Sequence, residues 1–231
     1  MWTAPALDRG PRWETVANAA LWPVAVLLFI HRIVALALPG TITDDFTTVW
    51  SAARRFVERV PVYSENYATV DPHYLYNPGA TLLLSPLGLF SSTEIVRPLF
   101  ILANALAILA ALAWLTRLSG FSLKHPIFPG AIALGFATEA VTNTLTFSNI
   151  NGILLLGLVA FLACLLRGPS LAAGVVLGLC ILVKPMFAPL ILLPLLRMNW
   201  GAVITAGIVP VVFNVIAWPL TPGCLLYTSP C

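Results

Sequence analysis

The fold this sequence predicts is an all-α polytopic membrane protein, a bundle of spanning helices with a long polar loop held against one face of the bilayer. Three observations predict it. Of 231 residues, 59% are hydrophobic and 9% charged, with a mean hydropathy of +0.94, a composition far outside what a water-soluble core needs. The apolar residues form long runs without the polar stripe of a soluble helix, and several approach the ~20 residues that cross a bilayer. Most of the remaining charges lie in the links between runs. The net charge of +3 is therefore loop charge beside lipid, and no basic block with interleaved aromatics points to nucleic acid. Cys164, Cys180, Cys224 and Cys231 have neither CxxC nor metal-ligand spacing, and the first two sit in apolar runs as small hydrophobes.

Residues 1–15 are a short polar N-terminal segment. The run 16–38 has no small-residue cleavage pattern after it, so it reads as a first span and not a signal peptide. Further spans are expected at 96–114, 127–141, 150–166, 171–183, 186–196 and 202–218, making about seven, some short for a full crossing. Arg9 and Arg12, Arg117 and Lys124, Arg167, and Arg197 fall at alternate links. The positive-inside rule puts these links and the N-terminus in the cytoplasm. The ends near Asp44, residues 143–151, Lys184 and Trp218 are then outside.

That topology leaves an external loop over 39–96 holding six of the nine acids: Asp44, Asp45, Glu58, Glu65, Asp71 and Glu94. Within it, residues 46–60 place Phe46, Val49, Trp50, Ala53, Phe56, Val57 and Val60 on one helical face. Arg54, Arg55, Glu58 and Arg59 fall mostly elsewhere, the pattern of a helix lying along the interface. The run 78–90, roughly 13 residues broken by Pro86 and Gly88, reads as a second surface-lying or re-entrant piece.

Three groups of polar residues are candidates for chemistry. Asp44 and Asp45 stand where the first span meets the interfacial helix. Either can cap the helix, but consecutive side chains diverge, so one can cap while the other faces a cleft as a general base. The stretch Val70-Asp71-Pro72-His73-Tyr74-Leu75-Tyr76-Asn77-Pro78-Gly79 stiffens an acid, an imidazole and two phenols with prolines, a loop suited to a polyol or sugar. At the outer helix ends lie Glu139, Thr142, Asn143, Thr144, Ser148, Asn149 and Asn151, with Lys184-Pro185 between two half-length runs. Pro185 ends the preceding helix, and a cation there suits an anion such as a lipid phosphate. Arg97 and Arg32 are further cations for that role.

The stretches Ile42-Thr43-Asp44-Asp45-Phe46, residues 70–79 as quoted, Ala137-Thr138-Glu139-Ala140-Val141-Thr142-Asn143-Thr144-Leu145, Asn149-Ile150-Asn151-Gly152 and Lys184-Pro185 resemble the actinobacterial α-(1→3)-arabinofuranosyltransferases that branch cell-wall arabinan. The resemblance runs from about residue 21 to 220. It implies a GT-C helical bundle that moves arabinofuranose from decaprenylphosphoryl-arabinose to an arabinan acceptor of arabinogalactan or lipoarabinomannan. It further implies a site on the outer face of the plasma membrane, no metal and no cofactor. The general base is then an acid of the first external loop, and the family pattern of an acid before an aromatic-rich surface helix fits Asp45 better than Asp44. Lys184, then Arg97 and Arg32, would meet the donor phosphate. Asp71, His73, Tyr74, Tyr76, Glu139, Asn143, Asn149 and Asn151 would meet sugar.

Two departures accompany the resemblance. The family has a second proline where this chain has Asn77. Its members also continue through several more helices, so this chain is expected to be a truncated copy whose residues 222–231 are foreign. Competing readings are a transporter of a small polar or anionic solute, which would predict related halves that are not found, a structural subunit whose acids are only caps, and a mannosyltransferase using polyprenyl-phosphate-mannose.

Overall fold

The computed structural model describes residues 11–39, 44–63 and 74–221, and among them all regular structure is helical. The chain is an all-α polytopic membrane protein. Helix α1 (Pro11–Ile30) continues through a π-helical stretch, His31–Ala37. Then follow α2 (Asp45–Glu58), α3 (Pro78–Leu84) with a 3-10 extension to Leu89, and α4 (Thr93–Leu118). The second half comprises α5 (Ile127–Ala137), α6 (Glu139–Thr146), α7 (Asn151–Arg167), α8 (Ser170–Val183), α9 (Leu192–Leu196) and α10 (Trp200–Ala217).

Among the described residues three helices are long and apolar enough to cross a membrane: Arg12–Ala37, Thr93–Leu118 and Trp200–Leu220. Only 11% of the most apolar window of the first and last is buried, against 44% for the middle one, which makes α4 the central post and α1 and α10 its flanks. The flanking helices turn Val16, Leu27 and Val34, and Ile204, Val211 and Val215, outward with more than half of each exposed. Such faces have lipid tails as their solvent.

Two expected spans are interrupted. The segment 127–141 breaks at Thr138, whose backbone is extended and whose hydroxyl donates to the Gly135 carbonyl and accepts from the Val141 N–H. That cap starts α6, leaving α5 with 11 residues, ~16 Å of helix against a ~30 Å hydrocarbon layer. The segment 186–196 is mostly a 3-10 helix, Pro185–Ile191, before short α9. Pro185, Pro189 and Pro194 each withhold an N–H there, so regular i→i−4 bonding does not propagate.

One core cluster binds α2, α3, α4, α7 and α8 through Phe46, Val49, Phe56, Phe100, Ile150, Leu154, Cys180 and Val183. Phe46 is fully buried against Phe100, ring centroids 4.9 Å apart. Phe46, Ile150 and Val183 are the chain neighbours of Asp45, of Asn149 and Asn151, and of Lys184. The apolar residue in each case anchors the backbone from which the polar one reaches out. A second cluster joins α1, α4, α5 and α6, and a third joins α7, α8 and α10.

The interfacial helix is covered as well as amphipathic. Phe46, Val49, Ala52, Ala53 and Phe56 are buried, while Val57 and Val60, expected on the same face, are exposed. The helix stops at Arg59, in the left-handed region with φ 61°, so Val60 leaves its face. The 3-10 turn after α3 packs so closely on α2 that a Cβ on Gly88 would collide with the Ala53 carbonyl oxygen.

Candidate active site

Helix ends from six parts of the chain meet at one face of the bundle, and the two acids divide their tasks there. Asp44 is buried, and its Oδ1 accepts from the Thr47 N–H at 2.7 Å and the Thr47 hydroxyl at 2.6 Å. Its Oδ2 accepts from Arg97 Nε in an ion pair whose side chains are 2% and 14% exposed. Arg97 also donates to the carbonyls of Ala37 at 3.2 Å, Leu38 at 3.4 Å and Thr146 at 3.5 Å. Asp44 and Arg97 thus tie the end of the first span, the start of α2, the start of α4 and the end of α6 together.

Asp45 is exposed, on the first turn of α2, and its own N–H donates to the Phe147 carbonyl at 3.0 Å. Its Oδ2 accepts from Asn149 Nδ2. The Oδ1 of that amide accepts in turn from Lys184 Nζ at 3.2 Å and from the Asn151 N–H at 3.2 Å. Lys184 also donates to Asn151 Oδ1 at 2.7 Å. A carboxylate, two amides and an ammonium therefore form one chain of hydrogen bonds drawn from α2, the α6–α7 link, α7 and the end of α8.

The link is shaped to hold Asn149. The Ser148 and Asn149 N–H groups return to the Leu145 and Thr144 carbonyls at 3.1 and 2.8 Å, with Ser148 at φ 51°, the left-handed C-terminal turn usually given to glycine. Ser148 is buried, and its hydroxyl has no partner among the described residues. On the other side, buried Asn104 of α4 donates to the Phe100 carbonyl at 3.0 Å and accepts from the Ile153 N–H at 3.2 Å. A Cβ on Gly152 would lie 2.6 Å from the Asn104 carbonyl oxygen, so α7 sits directly on α4. Asn104 was not singled out from the sequence, although a lone amide in an apolar run is the signal that finds such a residue.

Two cavities flank Asp45 and Asn149. One, of about 370 Å³, is lined by Asp45, Tyr76, Asn149 and Lys184 with Thr48 and Met186. The other, of about 550 Å³, is lined by Asp45, Asn143, Asn149 and Asn151 with Thr144 and Ala140. Beside them lies an almost wholly apolar groove of about 600 Å³ between α3, α4, α7 and α8, with Ile150 and Val183 in its wall. Burial pushes the Tyr76 phenol up to about 12, helped by the Asp45 charge. Burial pulls the Lys184 ammonium below the usual lysine value, opposed by Asp45.

The other candidates are placed differently. Arg32 donates to the Phe136 carbonyl at 2.9 Å, and neither Arg32 nor Arg97 lines the two polar cavities. Tyr74 is 2% exposed, its hydroxyl paired with Thr81 at 2.8 Å and its ring beside Tyr76 and Tyr63, so it packs the loop. Glu139 is exposed on the first turn of α6, outside both cavity walls. Asn77 caps α3 by accepting from the Ala80 N–H at 2.9 Å and holds α8 by donating to the Leu182 carbonyl at 2.7 Å. Asp71 and His73 lie outside the described residues. Among the described residues no group of three or more His, Cys, Asp or Glu side chains is placed to hold a metal ion.

The model of glycosyltransferase family 87 matches residues 74–228, which take in α3 to α10. The chain belongs to glycosyltransferase family 87. Its similarity to curated relatives extends over nearly all of its length. It is 55% identical to the alpha-(1->3)-arabinofuranosyltransferase of Corynebacterium glutamicum over 96% of this chain and 53% of that one. To the proteins of the same name it is 45% identical in Mycolicibacterium smegmatis and 46% in Mycobacterium tuberculosis, over 92% and 91% of this chain and 50% and 49% of theirs. The chain thus spans about half the length of the curated relatives it matches. The resemblance carried by its motifs is borne out by these relatives. No solved structure matches it.

Proposed function

We propose that this chain carries the catalytic half of a membrane arabinofuranosyltransferase that takes arabinofuranose from decaprenylphosphoryl-arabinose and adds it to an arabinan acceptor as an α-(1→3) branch. The observation that carries the proposal is an exposed carboxylate and a partly buried ammonium fronting one cavity beside an apolar groove. Asp45 accepts the proton of the acceptor hydroxyl as its oxygen attacks the anomeric carbon. The bond from that carbon to the phosphate oxygen breaks, its electron pair leaves with the polyprenyl phosphate, and Lys184 balances the phosphate charge. The apolar groove is suited to the prenyl chain. Tyr76, Asn143, Asn149 and Asn151 are the side chains best placed to meet sugar hydroxyls, and Asp71 and His73 belong to the same loop sequence as Tyr76.

The charges of the short links support the orientation in which the Asp45 face is outside. Lys124, through its carbonyl, holds Asn18 of α1 at 2.9 Å. Arg117 and Arg167 line one cavity, and Arg197 holds the end of α7, all at helix ends opposite the Asp45 face. With that cationic end in the cytoplasm, as the positive-inside rule asks, the N-terminus is cytoplasmic and the site faces the outside of the plasma membrane.

The test is transfer of labelled arabinose from decaprenylphosphoryl-arabinose to a synthetic α-(1→5)-arabinan, in membranes bearing this chain joined to the C-terminal half of the Corynebacterium glutamicum relative. Asp45→Asn should lower kcat by about 10²- to 10⁴-fold with insertion unchanged. Transfer from polyprenyl-phosphate-mannose in place of the arabinose donor would redirect the substrate, and no transfer from either donor would defeat the enzyme reading.

A further inference from the structure

We propose that Asn149 is a positioning residue, an amide spacer that keeps the Asp45 carboxylate and the Lys184 ammonium apart. The inference rests on the reading of Asp45 as base and Lys184 as phosphate partner, and concerns what makes that pair usable. An unrestrained carboxylate and ammonium on facing walls of one cavity attract strongly enough to close into a direct ion pair. Closed, the carboxylate is a weaker base and the ammonium is no longer available to an incoming phosphate.

The geometry prevents this. Asn149 presents its N–H to Asp45 and its carbonyl oxygen to Lys184, so each charge meets the complementary end of one dipole. The dipole is itself fixed. Its oxygen also accepts from the Asn151 N–H, and its backbone leaves the Ser148 turn at φ 51° with its N–H bound to Thr144 at 2.8 Å. Asn151 holds Lys184 from the α7 side at 2.7 Å. Among the described residues, the titratable groups facing this pair are Tyr76, from the loop before α3, and each other; Asp44 and Arg97, on neighbouring elements, are bound to one another. A left-handed non-glycine turn next to a cavity-facing amide is the kind of local strain that surrounding structure maintains at working sites.

Two variants separate the spacer from a sugar-binding amide. Asn149→Ala removes both ends of the dipole. Asn149→Leu keeps the approximate shape, removes the dipole as well and adds no charge. Two readouts are taken. The first is kcat and donor KM in the transfer assay. The second needs no activity: trace acetylation of lysines across pH, read by mass spectrometry on this chain in nanodiscs, where Lys124 is the only other lysine and serves as internal reference.

In both variants Lys184 should titrate higher than in the parent by about 1 unit, as an ammonium does when a carboxylate closes on it, with Lys124 unmoved. Both should lose about 10²-fold in kcat, the effect of a misplaced catalytic group. An unchanged Lys184 titration in Asn149→Ala overturns the spacer, whatever the rate does, because an amide that only binds sugar would leave the lysine alone. A shifted Lys184 titration in a parent protein without transfer activity sustains the spacer and sinks the enzyme reading. Should Asn149→Ala fail to insert, the similarly sized and uncharged Asn149→Leu decides by the same criteria.

Discussion

At the scale of single residues, adjacent Asp44 and Asp45 have different surroundings: Asp44 is buried against Thr47 and Arg97, and Asp45 is exposed beside the cavity it lines. Asp44→Asn keeps a capping oxygen but leaves Arg97 without its counter-charge among carbonyls, so stability should fall by about 3–5 kcal/mol in thermal unfolding, the usual result of breaking a buried pair. The folded fraction should keep its turnover, the opposite of Asp45→Asn. Lys184 gives an alkaline limit. Burial disfavours its charged form, so transfer should be lost as pH rises through a value below the ordinary lysine value of about 10.4, and Lys184→Gln should remove that limb and raise donor KM. Tyr76 acts on stability instead. Its proton is held more tightly folded than unfolded, so its contribution is fully present below the unfolded value near 10 and is lost between there and about 12. Alkaline unfolding of Tyr76→Phe should lack that step. The division between the acids was legible only as an alternative in the sequence, since either can cap, and only the position of Arg97 decides which one does.

At the scale of elements, the sequence made α1, α2, α4, α7, α8 and α10 legible because apolar runs and an amphipathic stripe report helices directly. It did not reveal the break at Thr138 or the 3-10 course after Pro185, where a hydroxyl cap and missing N–H groups outweigh apolar continuity. The contact of Lys184 with Asn149 and Asn151 was also hidden. Each was singled out, but the register of α8 against α7 depends on side-chain packing that no spacing within one helix encodes. Gly152 sets the neighbouring register of α7 on α4. Gly152→Ala places a methyl group 2.6 Å from the Asn104 carbonyl oxygen and must push the start of α7 outward, carrying Asn151 with it. It should lower both unfolding temperature and kcat. Ser148→Gly should do the reverse for stability, by about 1 kcal/mol, because it relieves a left-handed side chain and removes a buried hydroxyl without a partner among the described residues, less the added freedom of the unfolded chain.

At the scale of the whole molecule, two properties of the composition act together. The apolar faces of α1 and α10 require lipid, and the charges of the short links, Arg117, Lys124, Arg167 and Arg197, lie at the end opposite Asp45, whose own long loop also carries Arg54, Arg55 and Arg59. The positive-inside rule, applied to the short links, predicts that the Asp45 end faces out, as the proposed function also asks. Single cysteines in a chain freed of Cys164, Cys180, Cys224 and Cys231 measure it. Leu75→Cys, at a position 82% exposed beside Tyr76, should react with a membrane-impermeant maleimide in intact cells. Ser122→Cys, next to the Lys124 link, should react only after permeabilisation. The reverse pattern would place Asp45 and Lys184 on the cytoplasmic face, where a donor presented at the outer leaflet cannot reach them. Labelling of both positions from outside would mean that the charge asymmetry does not fix the orientation at all.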